Sequence, residues 1–225
     1  MTADPIAPPG GAPAGVTVFC DPPLRPAIRA LRPLAGVPVA ILSAPAPAMI
    51  EQIRRHTRDD VLVTVSTAMD RAVGQNFVDP KTRIDGFSNP LVLAAGAGRF
   101  AGAALPPGAR VAVTDNTQIS GLDGAAVLAA NGYKTARLTG TASTADAMFL
   151  LTTGAVDAAV VYQTDARAAR GVQILATLTA DPALTAFSAA VNAKSISPNA
   201  QALLDLMRAP AGAAALKNAG LEIPA

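Results

Sequence analysis

Short apolar runs bounded by Pro, Gly or Asp recur along the chain, and the stretches between them place apolar residues at helical spacing. Val16–Cys20 follows Gly15 and precedes Asp21-Pro22-Pro23. It reads as a buried strand entering a helix over 24–31, a start that the two prolines suit. A second apolar strand is expected over 37–42, and Met49, Ile50 and Ile53 then share one helical face. Val61–Val65 reads as a third strand and 67–73 as a short helix. This strand–helix alternation predicts a mainly parallel sheet covered on both faces. A further strand over 91–95 leads into the loose, Gly- and Pro-containing stretch 96–108, where the chain is expected to change lobe. A second series follows: a strand over 111–114, a helix at Gly124–Ala130, a strand over 135–138, a helix over 144–151 and the strand Ala158–Tyr162. After the apolar run 187–191 only helices are expected, over 199–207 and 211–218.

A chain of 225 residues accommodates one large domain or two lobes of ~100 residues each. Half of it is apolar, with 15% charged and 4% aromatic residues, so small aliphatic side chains must fill the core. The net charge of +2 comes without a stripe of Lys and Arg, which argues against a nucleic-acid partner. The cluster Arg54, Arg55, His56 and Arg58 stands at a helix end, where cations complement the dipole. The lone Cys20 excludes an internal disulfide framework and gives no compartment signal. Residues 1–15 hold four prolines and three glycines with neither a basic start nor an apolar centre, and read as a flexible leader. No run approaches the length of a membrane span, ~20 apolar residues.

Catalytic signatures are sparse. Gly96-Ala97-Gly98-Arg99-Phe100-Ala101-Gly102 has its third glycine one residue late for a dinucleotide fingerprint, and no long helix is expected before Pro106, so it reads as a mobile hinge loop. Hydrolysis by a Ser or Cys nucleophile needs a base, and the single histidine, His56, lies in the basic helix end. Cys20 reads as a small buried hydrophobe. One His and one Cys cannot assemble the usual transition-metal ligand sets. What remains are strand-to-helix junctions at 21–24, 43–48, 64–67, 118–122 and 142–144. Their free helix-start amides can hold an anion without Lys or Arg. Ser143 or Thr144 also suits a plain helix N-cap.

The stretch from Gly154 to Ala166 (Gly-Ala-Val-Asp-Ala-Ala-Val-Val-Tyr-Gln-Thr-Asp-Ala) ends a helix at glycine, forms a buried strand and sets Tyr162 at its C-terminal edge, where open α/β sheets place ligands. Together with the first strand and the last helices, it resembles the molybdate-binding periplasmic proteins, over nearly the whole chain from about Val16. These belong to the two-lobed, type 2 solute-binding proteins of ABC importers. The resemblance implies an α/β fold of two lobes, 16–93 plus 188–225 and 94–187, joined by paired crossing strands at 91–95 and 187–191. It implies a non-enzymatic, monomeric, periplasmic or extracytoplasmic carrier without a cofactor, whose native secretion signal is absent here. Its lobes would close over a molybdate- or tungstate-class oxyanion and pass it to a membrane ABC permease. Tyr162 matches the family's tyrosine. Thr64 stands where the family has a serine, with Ser66 nearby, and Gly121 and Thr144 fall where the second lobe supplies amides. Ser143 and Ser43 complete the ligand set.

Two departures bear on the ligand. The family's first serine is Pro23 here, and a second serine cluster is Pro45-Ala46-Pro47. Proline has neither hydroxyl nor amide donor. A less charged or organic ligand is therefore the alternative expectation, and an enzyme using Cys20 or Asp21 is a third.

Overall fold

The computed structural model describes residues 15–55, 59–100, 102, 104–116, 122–134 and 136–223. The expected leader, apart from Gly15, lies outside them, as do His56, Arg58 and Gly121. The first half runs β1 (Val16–Cys20), a 3-10 turn (Pro22–Leu24), α1 (Arg25–Leu31), β2 (Val39–Ser43), α2 (Ala46–Arg54), β3 (Val61–Val65), α3 (Ser66–Gly74), β4 (Ile84–Ser88) and β5 (Leu91–Gly96). The chain continues with β6 (Arg110–Asn116), β7 (Leu122–Asp123), α4 (Gly124–Ala130), β8 (Arg137–Thr141), α5 (Thr144–Thr152), β9 (Ala158–Tyr162), α6 (Gln163–Ala168) and β10 (Val172–Thr177). It ends with α7 (Pro182–Thr185), β11 (Ala186–Val191), α8 (Ala200–Arg208) and α9 (Pro210–Asn218).

Two sheets result. The first has the order β2-β1-β3-β11-β4, and the second β10-β5-β9-β6, with β8 and the short β7 also paired to β6. Each is mixed, not mainly parallel as the local pattern predicts. β1 pairs in parallel with β2 and β3, and β6 with β8 and β9, but β11, β4, β5 and β10 pair antiparallel. The reversed strands are those adjoining the two passages of the chain between the sheets. Strands β5 and β11, expected as a crossing pair, belong to different sheets. The crossovers are the short links after β4 and after β10, tied together by the Asn89 amide donating to the Thr185 carbonyl (2.9 Å).

Alternation explains why the central strands are apolar throughout. Val16, Val18, Cys20, Val61 and Val63 face a core shared with α1, α8 and α9, whereas Phe19 and Leu62 face one shared with α2 and α3. In the second sheet Leu91, Leu93 and Ala95 face the shared core, and Val92 and Ala94 face α5. Both faces are covered, so the strands read as unbroken apolar runs. Asp157, which precedes β9, accepts from the Arg110 amide (2.8 Å) and pairs with the guanidinium of Arg110 (2.9 Å) and with Arg99. These cations hold its carboxyl far below the usual range and fix the turn entering β9 against β6.

Registration of the two halves depends on Thr164 in α6. Its hydroxyl donates to the Pro23 carbonyl and accepts from Asn89 Nδ2 (2.9 Å), all of it buried. The Gln163 amide, one residue earlier, donates to the Pro90 carbonyl (2.8 Å). Thr164→Val preserves shape but strands a buried carbonyl and a carboxamide N–H. It should cost about 1–3 kcal/mol in urea unfolding; a loss below roughly 0.5 kcal/mol, within the range of neutral surface changes, would show that the contact is not structural.

Candidate functional site

The C-terminal ends of the parallel strands open on a cleft of about 840 Å³ between the sheets. Its first-sheet wall carries Asp21, Pro22 and Pro23 after β1, Pro45, Ala46 and Pro47 at the start of α2, and Val65, Thr67 and Ala68 around the start of α3. Opposite stand Thr114, Ser143, Thr144, Tyr162 and Asp165, with Leu184 and Phe187 closing the crossover side. A smaller cavity of about 270 Å³ by Ile84, Phe87 and Met207 holds Asp85, which is already paired with Arg83 at 2.7 Å.

Asp21 is only 6% exposed. Its Oδ2 accepts from the Thr64 hydroxyl (2.8 Å) and the Val65 amide (2.9 Å), and the Ala46 amide also stabilises its charge. Burial nevertheless pushes the carboxyl up to about 6 against those bonds. The parallel order of β1, β2 and β3 brings three helix starts to one point, and a side chain of the chain itself fills that point. Asp165, in the first turn of α6, is pushed up to about 7 by burial and has one hydroxyl donor, Thr144 Oγ1 at 3.3 Å.

The expected ligand residues divide into two groups. Tyr162, Ser143 and Thr144 line the cleft. Tyr162 stacks edge-on against Phe187 (centroids 6.1 Å apart, 72° between planes) and donates its hydroxyl to the Leu184 carbonyl (3.0 Å). Burial, with the Asp21 and Asp165 charges, pushes its phenol above the usual range, so it stays protonated. Ser143 caps α5, accepting from the Asp146 amide and donating to Asp146 Oδ2 (2.7 Å). Thr64, Ser43 and Ser66 do not line the cleft. Thr64 is fully buried behind Asp21, Ser43 donates to the Cys20 carbonyl (3.0 Å), and Ser66 Oγ lies 2.8 Å from Ser188 Oγ. Gly121 lies outside the described residues.

Two cleft groups escape the sequence reading of the site. Asp165 is the aspartate of Thr164-Asp165-Ala166, and Thr114 ends the buried part of β6. Thr114 carries the signal that marks Tyr162, a polar residue near a strand's C-terminal end, whereas Asp165 lies beyond β9 in the first turn of α6. The Cys20 thiol is buried and pushed up to about 12, which disfavours the thiolate that a nucleophile requires. Among the described residues no three His, Cys, Asp or Glu converge as a metal site, and no helix is long and apolar enough to cross a membrane.

A family model described as bacterial extracellular solute-binding protein matches residues 16–222. The chain belongs to this family. No curated protein matches the sequence. Among solved structures, this solute-binding protein is similar to a periplasmic molybdate-binding protein of Azotobacter vinelandii (TM-score 0.74, 20% identity, covering 93% of this chain and 100% of that one). It is also similar to a sulfate-binding protein of Mycobacterium tuberculosis (0.69, 16%, 93% and 86%). Iron-bound HitA of Pseudomonas aeruginosa is a third such structure (0.57, 16%, 91% and 84%). At these identities the likeness establishes the type 2 periplasmic-binding fold, and the ligand must be argued from the cleft.

The raised carboxyls set a pH dependence. An unfolded aspartate titrates near ~4, so Asp21 and Asp165 bind more protons folded than unfolded as pH rises from about 4 to 7, and their contribution to stability falls over that range. The ligand-free solute-binding protein should therefore melt higher at pH 5 than at pH 7.5. Asp165→Asn should flatten that slope in calorimetric scans; an unchanged slope would show that Asp165 titrates normally.

Proposed function

We propose that this protein is the extracytoplasmic capture component of an ABC importer and that its cleft takes a small organic solute instead of a bare oxyanion. The lobes, one built on β1–β4 with β11, α8 and α9 and the other on β5–β10, close over the solute by a hinge at the two crossovers and present it to a membrane permease. The observation that carries the ligand class is Asp21: its carboxylate occupies the Thr64 hydroxyl and the Val65 amide, donors that a first-lobe oxyanion would need. Pro22, Pro23, Pro45 and Pro47 surround it, without amide protons to replace them. Two hydrogen bonds to a charged group, at about 1.5–3 kcal/mol each, amount to roughly two to four orders of magnitude in affinity.

A second reading, molybdate- or tungstate-class oxyanion capture, draws on the likeness to molybdate- and sulfate-binding proteins and on the helix-start amides of α5 at Thr144 and Ala145. Isothermal calorimetry with molybdate, tungstate, sulfate and phosphate separates the two. The wild type should give no binding heat. Asp21→Ala strands the donors and should lose about 1–3 kcal/mol of stability, which millimolar oxyanion restores by filling the vacated position. Micromolar oxyanion binding by the wild type would decide for the second reading.

A further inference from the structure

The hydrogen-bond polarity of the cleft is lopsided. The hydroxyl protons of Tyr162, Ser143 and Thr144 are committed to Leu184, Asp146 and Asp165, and that of Thr64 behind the wall to Asp21. Among the described lining residues, the Asp165 and Asp21 carboxylates and the phenol oxygen of Tyr162 therefore keep lone pairs to offer, with the exposed side chains of Thr67 and Gln75 towards the α3 side. Both carboxylates line the same cleft as Tyr162, and their charges raise its phenol. Among the described lining residues Arg71 is the basic one, and it is exposed in the last turn of α3, the turn farthest from Asp21.

Thr114 supplies an independent observation. It is 2% exposed, lines the same cleft, and its Oγ1 has no hydrogen-bond partner. A buried hydroxyl without a partner is costly and rare in a folded protein. It is accounted for when a ligand N–H completes it.

Resting on the reading of this cleft as the site of an organic solute, we infer that the solute carries a protonated amino group, held by Asp165 and Asp21 with the Thr114 hydroxyl as a further acceptor. An ammonium brings donors and no acceptor, which matches an acceptor-rich wall. It also supplies the positive charge that two buried carboxylates lack. On a ligand that also bears a carboxylate, the far group meets Arg71 or the first amides of α5.

The experiment uses the full chain with putrescine, 4-aminobutyrate, 1,4-butanediol and molybdate, read by thermal shift and calorimetry at pH 7.5. At least one of the two ammonium compounds should bind and butanediol should not; 4-aminobutyrate alone would place a second, anionic contact at Arg71 or α5. Asp165→Asn should weaken that binding at least tenfold, equivalent to about 1.4 kcal/mol, with the melting temperature of the free protein retained or raised. Thr114→Val should weaken it about threefold while leaving the free protein as stable or more so, whereas a merely structural hydroxyl would lower the melting point. Absence of binding by both ammonium compounds, binding of butanediol alone, or ammonium binding that Asp165→Asn leaves unchanged overturns the inference and leaves the organic-solute reading standing. Molybdate binding to the wild type overturns both.

Discussion

The Asp21 carboxylate, held where three strand-to-helix junctions meet, is the contact around which the first half of the molecule is arranged. Parallel pairing of β1 with β2 and β3 brings the turn after β1 and the starts of α2 and α3 to one edge of the sheet, where the Ala46 and Val65 amides meet the Asp21 carboxylate. Such a convergence of unpaired N–H groups and positive helix ends requires an acceptor. Here the acceptor is covalently part of the chain, and Thr64, Val65 and Ala46 all serve it. Burial of the charge opposes the arrangement, as the upward displacement of its carboxyl to about 6 records. The donors offset that cost well enough to keep the junctions together without a bound anion.

This explains why the junctions tolerate so much proline. At 22, 23, 45 and 47 the missing amide protons deprive no acceptor, because the one that matters is already satisfied. Pro22 and Pro45 also supply the backbone angle that a helix start or its cap requires, with Pro45 at φ −55° capping α2. The same substitutions that remove an oxyanion's partners thus stabilise the local turns. Neither change is neutral for the ligand.

Much of the fold was legible in the sequence, because β1, β3, β5 and β9 are buried on both faces and appear as apolar runs of strand length. β4 was not, since Asp85 and Gly86 interrupt Ile84-Asp85-Gly86-Phe87 and leave only Ile84 and Phe87 buried. β10 escaped for a related reason: a register shift between Ile174 and Ala176 breaks its alternation, and it lies at a sheet edge. Strand direction is not a local property, so the antiparallel half of each sheet could not be read from periodicity. Within the site, position along the chain was legible and side-chain direction was not. Thr64 stands at the expected strand end, but alternation turns its hydroxyl to Asp21 behind the cleft wall, and Ser66 turns to Ser188. Tyr162 lines the cleft because it is the last residue of a central strand.

Ligand sign on such a scaffold is decided by where a few protons point, not by which residue types line the cleft. Tyrosine, serine and threonine hydroxyls each both donate and accept, so a lining rich in them is compatible with either an anion or a cation. What fixes the polarity is the acceptor nearest each hydroxyl. Asp165 draws the Thr144 proton, Asp146 that of Ser143, and the Leu184 carbonyl that of Tyr162, each at hydrogen-bonding distance. Reversing any of these toward an oxyanion would strand the acceptor it now serves, and for Asp165 that acceptor is a carboxylate with a single donor among the described residues. The bond that holds the wall in shape therefore also opposes a second negative charge beside it, and a ligand that brings donors strengthens what the fold has already built.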